Sequence, residues 1–133
     1  MSIVTYPYKR WKGWRVPIIT FGIRYRDKWF PVNAYVDSGA TYSVFRARTA
    51  TQIGLDYRTG KRQYIQGAGG HFLLIYLHDL ELQIGQHRLV APIGFSEKLG
   101  LNFNLLGRSE IFSHFKVCFD EKHYITTFTP HSK

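Results

Sequence analysis

The residues best suited to chemistry in this sequence are Asp37, Ser38 and Gly39, which interrupt an otherwise apolar segment spanning residues 34–45. Aspartate and glycine are poor strand residues, so their position inside a strand-like segment needs a reason. One reason is an ordinary turn, because Asp, Ser and Gly are common turn residues. The other is a site at which the Asp37 carboxyl group accepts or donates a proton. The triplet alone leaves both open.

Two later segments favour the second reason. A glycine-rich tip lies between two β-forming flanks in residues 64–72, and its members are Gly67, Ala68, Gly69 and Gly70. An apolar pair closed by glycine follows further on, as Leu105, Leu106, Gly107 and Arg108, with a short helix expected in residues 109–115. A phosphate-binding loop would also use glycines, but it needs a Gly-Lys-Ser/Thr ending and a following helix. The glycine-rich segment lacks both features, so it predicts a hairpin instead of a phosphate-binding loop.

The elements that must position these residues read mainly as short strands. Residues 17–25 and 29–36 predict two strands around a polar turn, and the second strand ends at Asp37. Residues 46–53 predict a helix, with Gly54 placed as its C-terminal cap. Further strands are expected at 62–66, 71–77, 80–84, 88–95, 115–119 and 124–128, with Pro92 suggesting an edge position. The pattern predicts an all-β barrel or sandwich with two brief helices.

Length and composition predict one soluble domain. The chain has 133 residues, of which 44% are hydrophobic and 20% charged, so disorder is excluded. We expect an N-terminal arm of basic and aromatic residues over 1–16 and a domain over 17–133. No apolar run is long enough for a membrane helix and no secretory signal is readable. Cys118 is the only cysteine, which leads us to expect a cytoplasmic protein.

The net charge of +9 raises the question of whether the protein binds nucleic acid. Twelve of the eighteen lysines and arginines lie in residues 1–62, and such a face can follow phosphates or simply keep a protein soluble. No helix-turn-helix, finger or RNA-binding motif accompanies the charge, so nucleic-acid binding is the less favoured interpretation. The six histidines show no ligand spacing, and no metal is expected.

Taken in order, the Asp-Ser-Gly triplet, the glycine-rich hairpin and the Leu-Leu-Gly segment resemble the retropepsin-like aspartic proteases. The resemblance spans about residues 17 to 130 and is carried by these three motifs. It implies an all-β, closed, pepsin-like half-barrel with one or two short helices and a flap hairpin. It also implies peptide-bond hydrolysis by an activated water, without a cofactor.

The family mechanism needs two carboxyl groups that share one proton, because two negative charges held side by side cannot both form easily. This sequence has only one Asp-Ser-Gly triplet, so a second copy of the chain must supply the other carboxyl group. The resemblance therefore implies a homodimeric aspartic endopeptidase with a polypeptide substrate and an inactive monomer.

The resemblance also assigns roles to individual residues. Asp37 is the catalytic residue, and Ser38, Gly39 and Ala40 complete its loop. The four residues of the glycine-rich tip, Gly67, Ala68, Gly69 and Gly70, correspond to the flap. Four residues support the catalytic loop: Leu105, Leu106, Gly107 and Arg108. The expected substrate-pocket walls are Tyr42, Ile65, Phe72 and Leu73.

Two departures from the family pattern stand out. In retroviral members an arginine matching Arg108 pairs with an aspartate, but that position is Thr41 in this chain. We expect Arg108 to bond Thr41 or a backbone carbonyl instead. The chain also continues beyond the helix at 109–115, as a pepsin lobe does, so the dimer interface is expected to differ. The alternative to an enzyme is a catalytically silent dimeric barrel that binds peptides or nucleic acid.

Overall fold

The computed structural model describes residues 2–67 and 69–132 and contains twelve strands, two α-helices and one short 3-10 helix. The elements in chain order are β1 Val4–Pro7, β2 Lys9–Trp11, β3 Trp14–Val16, β4 Ile18–Tyr25, β5 Lys28–Val36, β6 Ser43–Arg46, α1 Ala47–Ile53, the 3-10 helix Tyr57–Thr59, β7 Lys61–Gln66, β8 Phe72–Ile84, β9 His87–Ser96, β10 Asn104–Leu106, α2 Ile111–His114, β11 Phe115–Asp120 and β12 Ile125–Pro130.

Six strands close into a barrel. They are hydrogen-bonded in the order β4-β5-β10-β6-β9-β8, and β8 pairs with β4 through residues 81–83 to complete the circle. Inward-facing aliphatic and aromatic side chains fill the interior, and Ile23, Phe45, Leu82, Ile93 and Phe95 are fully buried. The predicted all-β, closed half-barrel with short helices is confirmed.

The C-terminal end of α1 and the turn before β5 follow from local sequence. Gly54 ends α1 with φ 83°, a left-handed conformation that glycine adopts without a steric penalty. The turn between β4 and β5 places Arg26 and Asp27 at φ 51° and 63°, and aspartate tolerates this region better than most residues. Both features lie where the sequence predicts them.

Pro92 lies in an inner strand rather than an edge strand. β9 pairs with β8 along residues 87–95 and with β6 along residues 93–96. The edge expectation is therefore wrong for the strand as a whole. Pro92 is tolerated because the pairing with β6 begins one residue later, so at this position the strand has a partner on one side only.

The N-terminal residues form strands of their own. β1 pairs with β12, which pairs with β11, to make a three-stranded sheet from the two ends of the chain. β2 and β3 form a hairpin whose turn contains Lys12 and Gly13, both at positive φ. The ring of Trp11 in this hairpin packs edge to face on Phe103, at 5.4 Å between centroids. The division of the chain at residue 16 stays a prediction.

Tyr8 joins the first two strands to the C-terminal hairpin and provides a test of the fold. Its side chain is 9% exposed, and its amide donates to the carbonyl oxygen of Tyr124 at 2.7 Å. Burial, and then the Glu121 carboxylate, raise the pKa of Tyr8 from 10.0 to about 12. Because the unfolded chain ionises first, this contribution to stability is present below pH 10 and is lost as the pH rises through about 12.

We therefore expect Tyr8→Phe to lose less stability than the wild type when the pH rises from about 9 to about 11.5, as measured by urea unfolding midpoints. The matched control is Tyr64→Phe, since Tyr64 is exposed on β7. Equal losses in the wild type and in Tyr8→Phe would contradict the assignment.

Across residues 2–67 and 69–132, neither α-helix has the length and apolar character needed to cross a lipid bilayer.

Candidate active site

Asp37 lies directly after β5, where three strands meet. β10 runs between β5 and β6, parallel to β5 and antiparallel to β6, with Leu106 opposite Val36. The pairing continues one residue further, because the Asp37 amide donates to the Leu106 carbonyl oxygen at 2.9 Å. The backbone of the acid is thus held by the barrel, while its side chain is half-buried at the surface.

The residues after Asp37 form a tight turn around its carboxylate. The Gly39 amide donates to Oδ1 of Asp37 at 2.9 Å, and the Ala40 amide donates to the Asp37 carbonyl oxygen at 3.2 Å. A Cβ atom at Gly39 would lie 3.2 Å from the same Oδ1, which is tighter than an ordinary contact. Glycine at position 39 therefore allows this close approach of the backbone to the carboxylate.

A second loop, residues 107–109, crosses behind this turn and holds it by backbone hydrogen bonds. The Gly107 amide donates to the buried Oγ of Ser43 at 2.9 Å. The Arg108 amide donates to the Ala40 carbonyl oxygen at 2.9 Å, and the Ser109 amide donates to the Thr41 carbonyl oxygen at 2.8 Å. The structure thus brings Leu106, Gly107 and the backbone of Arg108 against the Asp37 turn.

Gly107 is required by the closeness of this crossing. A Cβ atom at Gly107 would lie 2.5 Å from the carbonyl carbon of Tyr42 and 2.8 Å from the Ala40 carbonyl oxygen. Both neighbours are backbone atoms, so they cannot move aside as the end of a flexible side chain can. Any residue with a side chain would push the two loops apart.

The side chain of Arg108 does not brace the loop in the way expected. Within the described residues its guanidinium makes no hydrogen bond or ion pair, and the residue is exposed. Thr41 is reached instead through backbone atoms, by the amide of Ser109. The expected side-chain bond from Arg108 to Thr41 or a backbone carbonyl is therefore not found within the described residues; the Arg108 and Ser109 amides bond the carbonyl oxygens of Ala40 and Thr41 instead.

The glycine-rich segment forms the tip of a β7–β8 hairpin. Residues 61–66 pair with residues 72–77, and the Gly67 amide donates to the His71 carbonyl oxygen at 2.9 Å. Gly69 and Gly70 have φ of 86° and 81°, which residues with side chains rarely adopt. Ala68 lies outside the described residues. Residues 72–75 pair only with β7, since pairing with β9 starts at Tyr76, so this ribbon extends beyond the barrel.

The two faces of the hairpin differ in exposure. Ile65 and Leu73 are directly opposite each other and half-buried, whereas Phe72 belongs to the other face and is 73% exposed. Tyr64, on the same face as Phe72, is 58% exposed. Strand alternation thus turns Phe72 away from the face of Ile65 and Leu73. Phe72 and Leu73 nevertheless both border one groove, and the role of Ile65, Phe72 and Leu73 as substrate-pocket walls stays a prediction.

An ion-paired cluster lies at the base of this exposed face. The Tyr57 hydroxyl donates to Oε2 of Glu97 at 2.6 Å, and Arg58 pairs with the same oxygen at 2.6 Å. The hydrogen bond from Tyr57, together with Arg58, lowers the pKa of Glu97. The lowered pKa keeps this carboxylate ionised. Glu97 and Lys98 line a groove of about 280 Å³ beside the β7–β8 hairpin, together with Tyr64 and Phe72.

Three aromatic rings next to the acid were not identified from the sequence. Tyr35 precedes Asp37 by two residues and therefore lies on the same face of β5. Its ring stacks on Phe103 at 5.3 Å between centroids, and Phe103 in turn contacts Trp11. Strand alternation could have pointed to Tyr35, but no local signal connects Trp11 or Phe103 to it.

No group of three metal-ligating side chains is found in the part of the chain that the structure describes. The site offers a carboxylate that is hydrogen-bonded to the Gly39 amide, with Tyr35 two residues before it on β5.

Comparisons with known proteins agree with this geometry. A family model described as aspartyl protease matches residues 23–109, which is more than half of the chain. A retropepsin-like aspartic protease from Rickettsia conorii has a similar structure, with a TM-score of 0.69 and 17% identity over 96% of this chain and 91% of that one. A search of curated sequences gives no match.

The EIAV protease, solved in complex with the inhibitor HBY-793, is similar over a shorter range. Its TM-score is 0.56 and its identity 20%, covering 79% of this chain and 92% of that chain. At these identities the two solved structures establish the fold, and the family model establishes the family. The chain belongs to the aspartyl protease family and has the retropepsin-like fold.

Proposed function

We propose that this chain is one subunit of a homodimeric aspartic endopeptidase, with Asp37 of each subunit forming the catalytic pair. One observation carries the proposal: Asp37 is accessible, is held by backbone bonds on both sides, and has the Gly39 amide on its carboxylate. The sequence contains no second Asp-Ser-Gly triplet to complete the site within one chain.

Two such carboxyl groups placed side by side cannot both be ionised easily, so the pair holds one proton. The ionised member takes a proton from a water molecule, which attacks the scissile carbonyl carbon. The protonated member donates its proton to the carbonyl oxygen, which gives a tetrahedral diol. The C–N bond of the diol then breaks as the carboxyl group that took the water proton passes it to the leaving nitrogen, and the other carboxylate takes a hydroxyl proton back. No bond forms between enzyme and substrate in this scheme. The proposed role of Ser38 is to link the two loops across the dimer axis, and that of Gly39 and Ala40 is to close the turn.

The β7–β8 hairpin is the proposed flap, with Gly67, Gly69 and Gly70 at its tip and Ala68 between them. The free ribbon beyond the barrel supports this role, since its end can move without breaking barrel hydrogen bonds. An extended polypeptide would bind beneath it through backbone hydrogen bonds, with alternate side chains in pockets. The half-buried face with Ile65 and Leu73 is the proposed inner wall.

Mixing wild-type chains with Asp37→Asn chains tests the pairing directly. At equal amounts and constant total protein, random pairing leaves about a quarter of the dimers with two aspartates. We expect peptide cleavage to fall to about a quarter of the wild-type rate after the subunits have been allowed to exchange. A fall to one half only would show that each chain acts alone.

A catalytically silent barrel would give a different result. In that case neither the wild type nor any mixture would cleave casein or peptide libraries above the rate of Asp37→Asn. Specific activity that rises with protein concentration, together with a dimer in sedimentation, is expected for the enzyme, because only the dimer has a complete site.

A further inference from the structure

A polar cavity of about 350 Å³ lies beside the strand that carries Asp37. Its walls come from the β2–β3 hairpin, from β5, from the start of α1 and from the segment before β10. Three of the lining residues are basic, namely Lys9, Arg10 and Arg46, and no aspartate or glutamate lines it. The cavity is therefore electropositive, whereas the groove beside the β7–β8 hairpin contains the carboxylate of Glu97.

The floor of the cavity is held rigidly by Asn104. Its side-chain amide donates to the Asn33 carbonyl oxygen at 3.0 Å. Its Oδ1 accepts from the Arg46 amide at 2.8 Å and from the Thr49 hydroxyl at 3.2 Å. Asn104 is buried, and its hydrogen-bonding groups are taken up by these partners. The backbone of Arg46 is thereby fixed at the cavity wall.

The basic residues of this cavity lack acidic partners. Across residues 2–67 and 69–132, none of the three is within 4.0 Å of a carboxylate oxygen, while Arg24 and Arg58 are both ion-paired. The Lys9 ammonium group donates only to neutral oxygens, those of the Thr20 hydroxyl and of Asn33 Oδ1, the latter at 3.1 Å. Positive charge is therefore concentrated where the protein itself supplies no counter-charge.

The cavity is lined by residues of β5, the strand that leads to the catalytic acid. Asn33, Tyr35 and Asp37 alternate along β5 and so share one face. Four residues of strand separate Asn33 from Asp37, which is about 13 Å. Tyr35 lies between these two residues, its ring stacks on Phe103, and Phe103 contacts Trp11; both Phe103 and Trp11 also line the cavity.

We propose that this cavity is a substrate subsite that binds an acidic side chain, aspartate or glutamate, of the polypeptide being cleaved. The inference rests on the proposed protease function. In this proposal the extended peptide runs along the face of Asn33 and Tyr35 and advances about 3.4 Å per residue, which places the acidic residue about four positions from the scissile bond. In the homodimer the same cavity occurs twice, so the preference applies on both sides of that bond.

The test uses a cleaved, uncharged peptide into which glutamate or glutamine is placed at each position within six residues of the scissile bond. We expect a ratio of kcat/KM for Glu over Gln of about tenfold near the fourth position, as expected for a charge-assisted hydrogen bond. The ratio should be close to one at positions nearer to the bond. Since the chain carries a net charge of +9, a uniform preference for acidic peptides would reflect only overall attraction.

Matched variants separate the cavity from the general charge. Arg46→Gln removes a basic residue of the cavity, and Lys9→Gln is a second variant in case the first disturbs the strand end. Arg48→Gln removes the same charge two residues away, at an exposed position outside the cavity. We expect the Glu/Gln ratio at the fourth position to fall to about one in the first two variants and to persist in Arg48→Gln. Equal losses in Arg46→Gln and Arg48→Gln would overturn the proposal.

Binding of the same peptides to Asp37→Asn, measured by fluorescence anisotropy, keeps the result separate from the proposed activity. If nothing is cleaved but the Glu peptide binds more tightly than the Gln peptide, and Arg46→Gln removes the difference, the cavity binds an acidic peptide side chain and only the protease function fails. If peptides are cleaved but show no positional preference, the subsite fails alone. A labelled oligothymidylate that loses affinity in Arg46→Gln, when the Glu peptide does not, would assign the cavity to nucleic-acid phosphates and overturn the inference.

Discussion

Replacing Asp37 with asparagine should lower kcat/KM for peptide cleavage by about a thousandfold or more, because asparagine can neither accept the proton of water nor donate one to the carbonyl oxygen. Asparagine has nearly the same size and can keep the hydrogen bond from the Gly39 amide. The fold should therefore be unchanged, and circular dichroism and the melting temperature of the variant should match those of the wild type.

The matched control for this substitution is Asp56→Asn. Asp56 is exposed and is the residue immediately before the 3-10 helix, where its side chain makes no capping hydrogen bond. This change removes the same charge and should leave kcat/KM within about twofold of the wild type. Cleavage by purified Asp37→Asn at the wild-type rate would remove the assignment of Asp37 as the catalytic residue, and with it the proposed enzyme.

The second large effect is expected for Gly107→Ala, on stability as well as on activity. The added Cβ would lie within 2.8 Å of backbone atoms of Tyr42 and Ala40, so the two loops must separate. Such separation weakens the bonds from Gly107 to Ser43 and from Arg108 to Ala40. We expect a loss of about 3 kcal/mol in the free energy of unfolding, measured with urea.

Gly67→Ala is the matched control for this change, because a Cβ there would have its nearest neighbour at 3.8 Å and its φ is not positive. Its stability should differ from the wild type by less than about 0.5 kcal/mol. If Gly107→Ala were equally harmless, the close crossing of the two loops would not be a feature of the protein in solution. Cleavage by Gly107→Ala should also fall under conditions in which it stays folded, because the Asp37 turn has lost its support.

Features that depend on a few consecutive residues could be predicted from the sequence. The turn at Asp37 and Gly39, the glycine cap at Gly54 and the hairpin around Gly67 all follow from backbone preferences of glycine and aspartate. The strand alternation that places Tyr35 beside Asp37 was also readable. The role of Tyr35 beside the acid could not be predicted, because it depends on the contact of its ring with Phe103, which is distant in sequence.

Features that depend on contacts between distant segments could not be predicted. Trp11 and Phe103 are far apart in sequence, and only the folding of the β2–β3 hairpin onto the barrel brings their rings together. The high exposure of Phe72 depends on the pairing of β7 with β8, which proximity to the glycines in sequence does not reveal. The hydrogen bond from the Ser109 amide to the Thr41 carbonyl oxygen, in place of a bond from the Arg108 side chain, likewise could not be predicted.

The sequence alone determined the family resemblance, the all-β class and the presence of one Asp-Ser-Gly triplet, because motifs of three or four residues form the turns and contain the candidate catalytic acid. The tertiary structure decided where charge and aromatic surface gather around that acid. Lys9 and Arg46 share a cavity with Asn104 because a hairpin, a barrel strand and a helix start converge there. Such convergence results from long-range packing, which leaves no local pattern in the order of the residues.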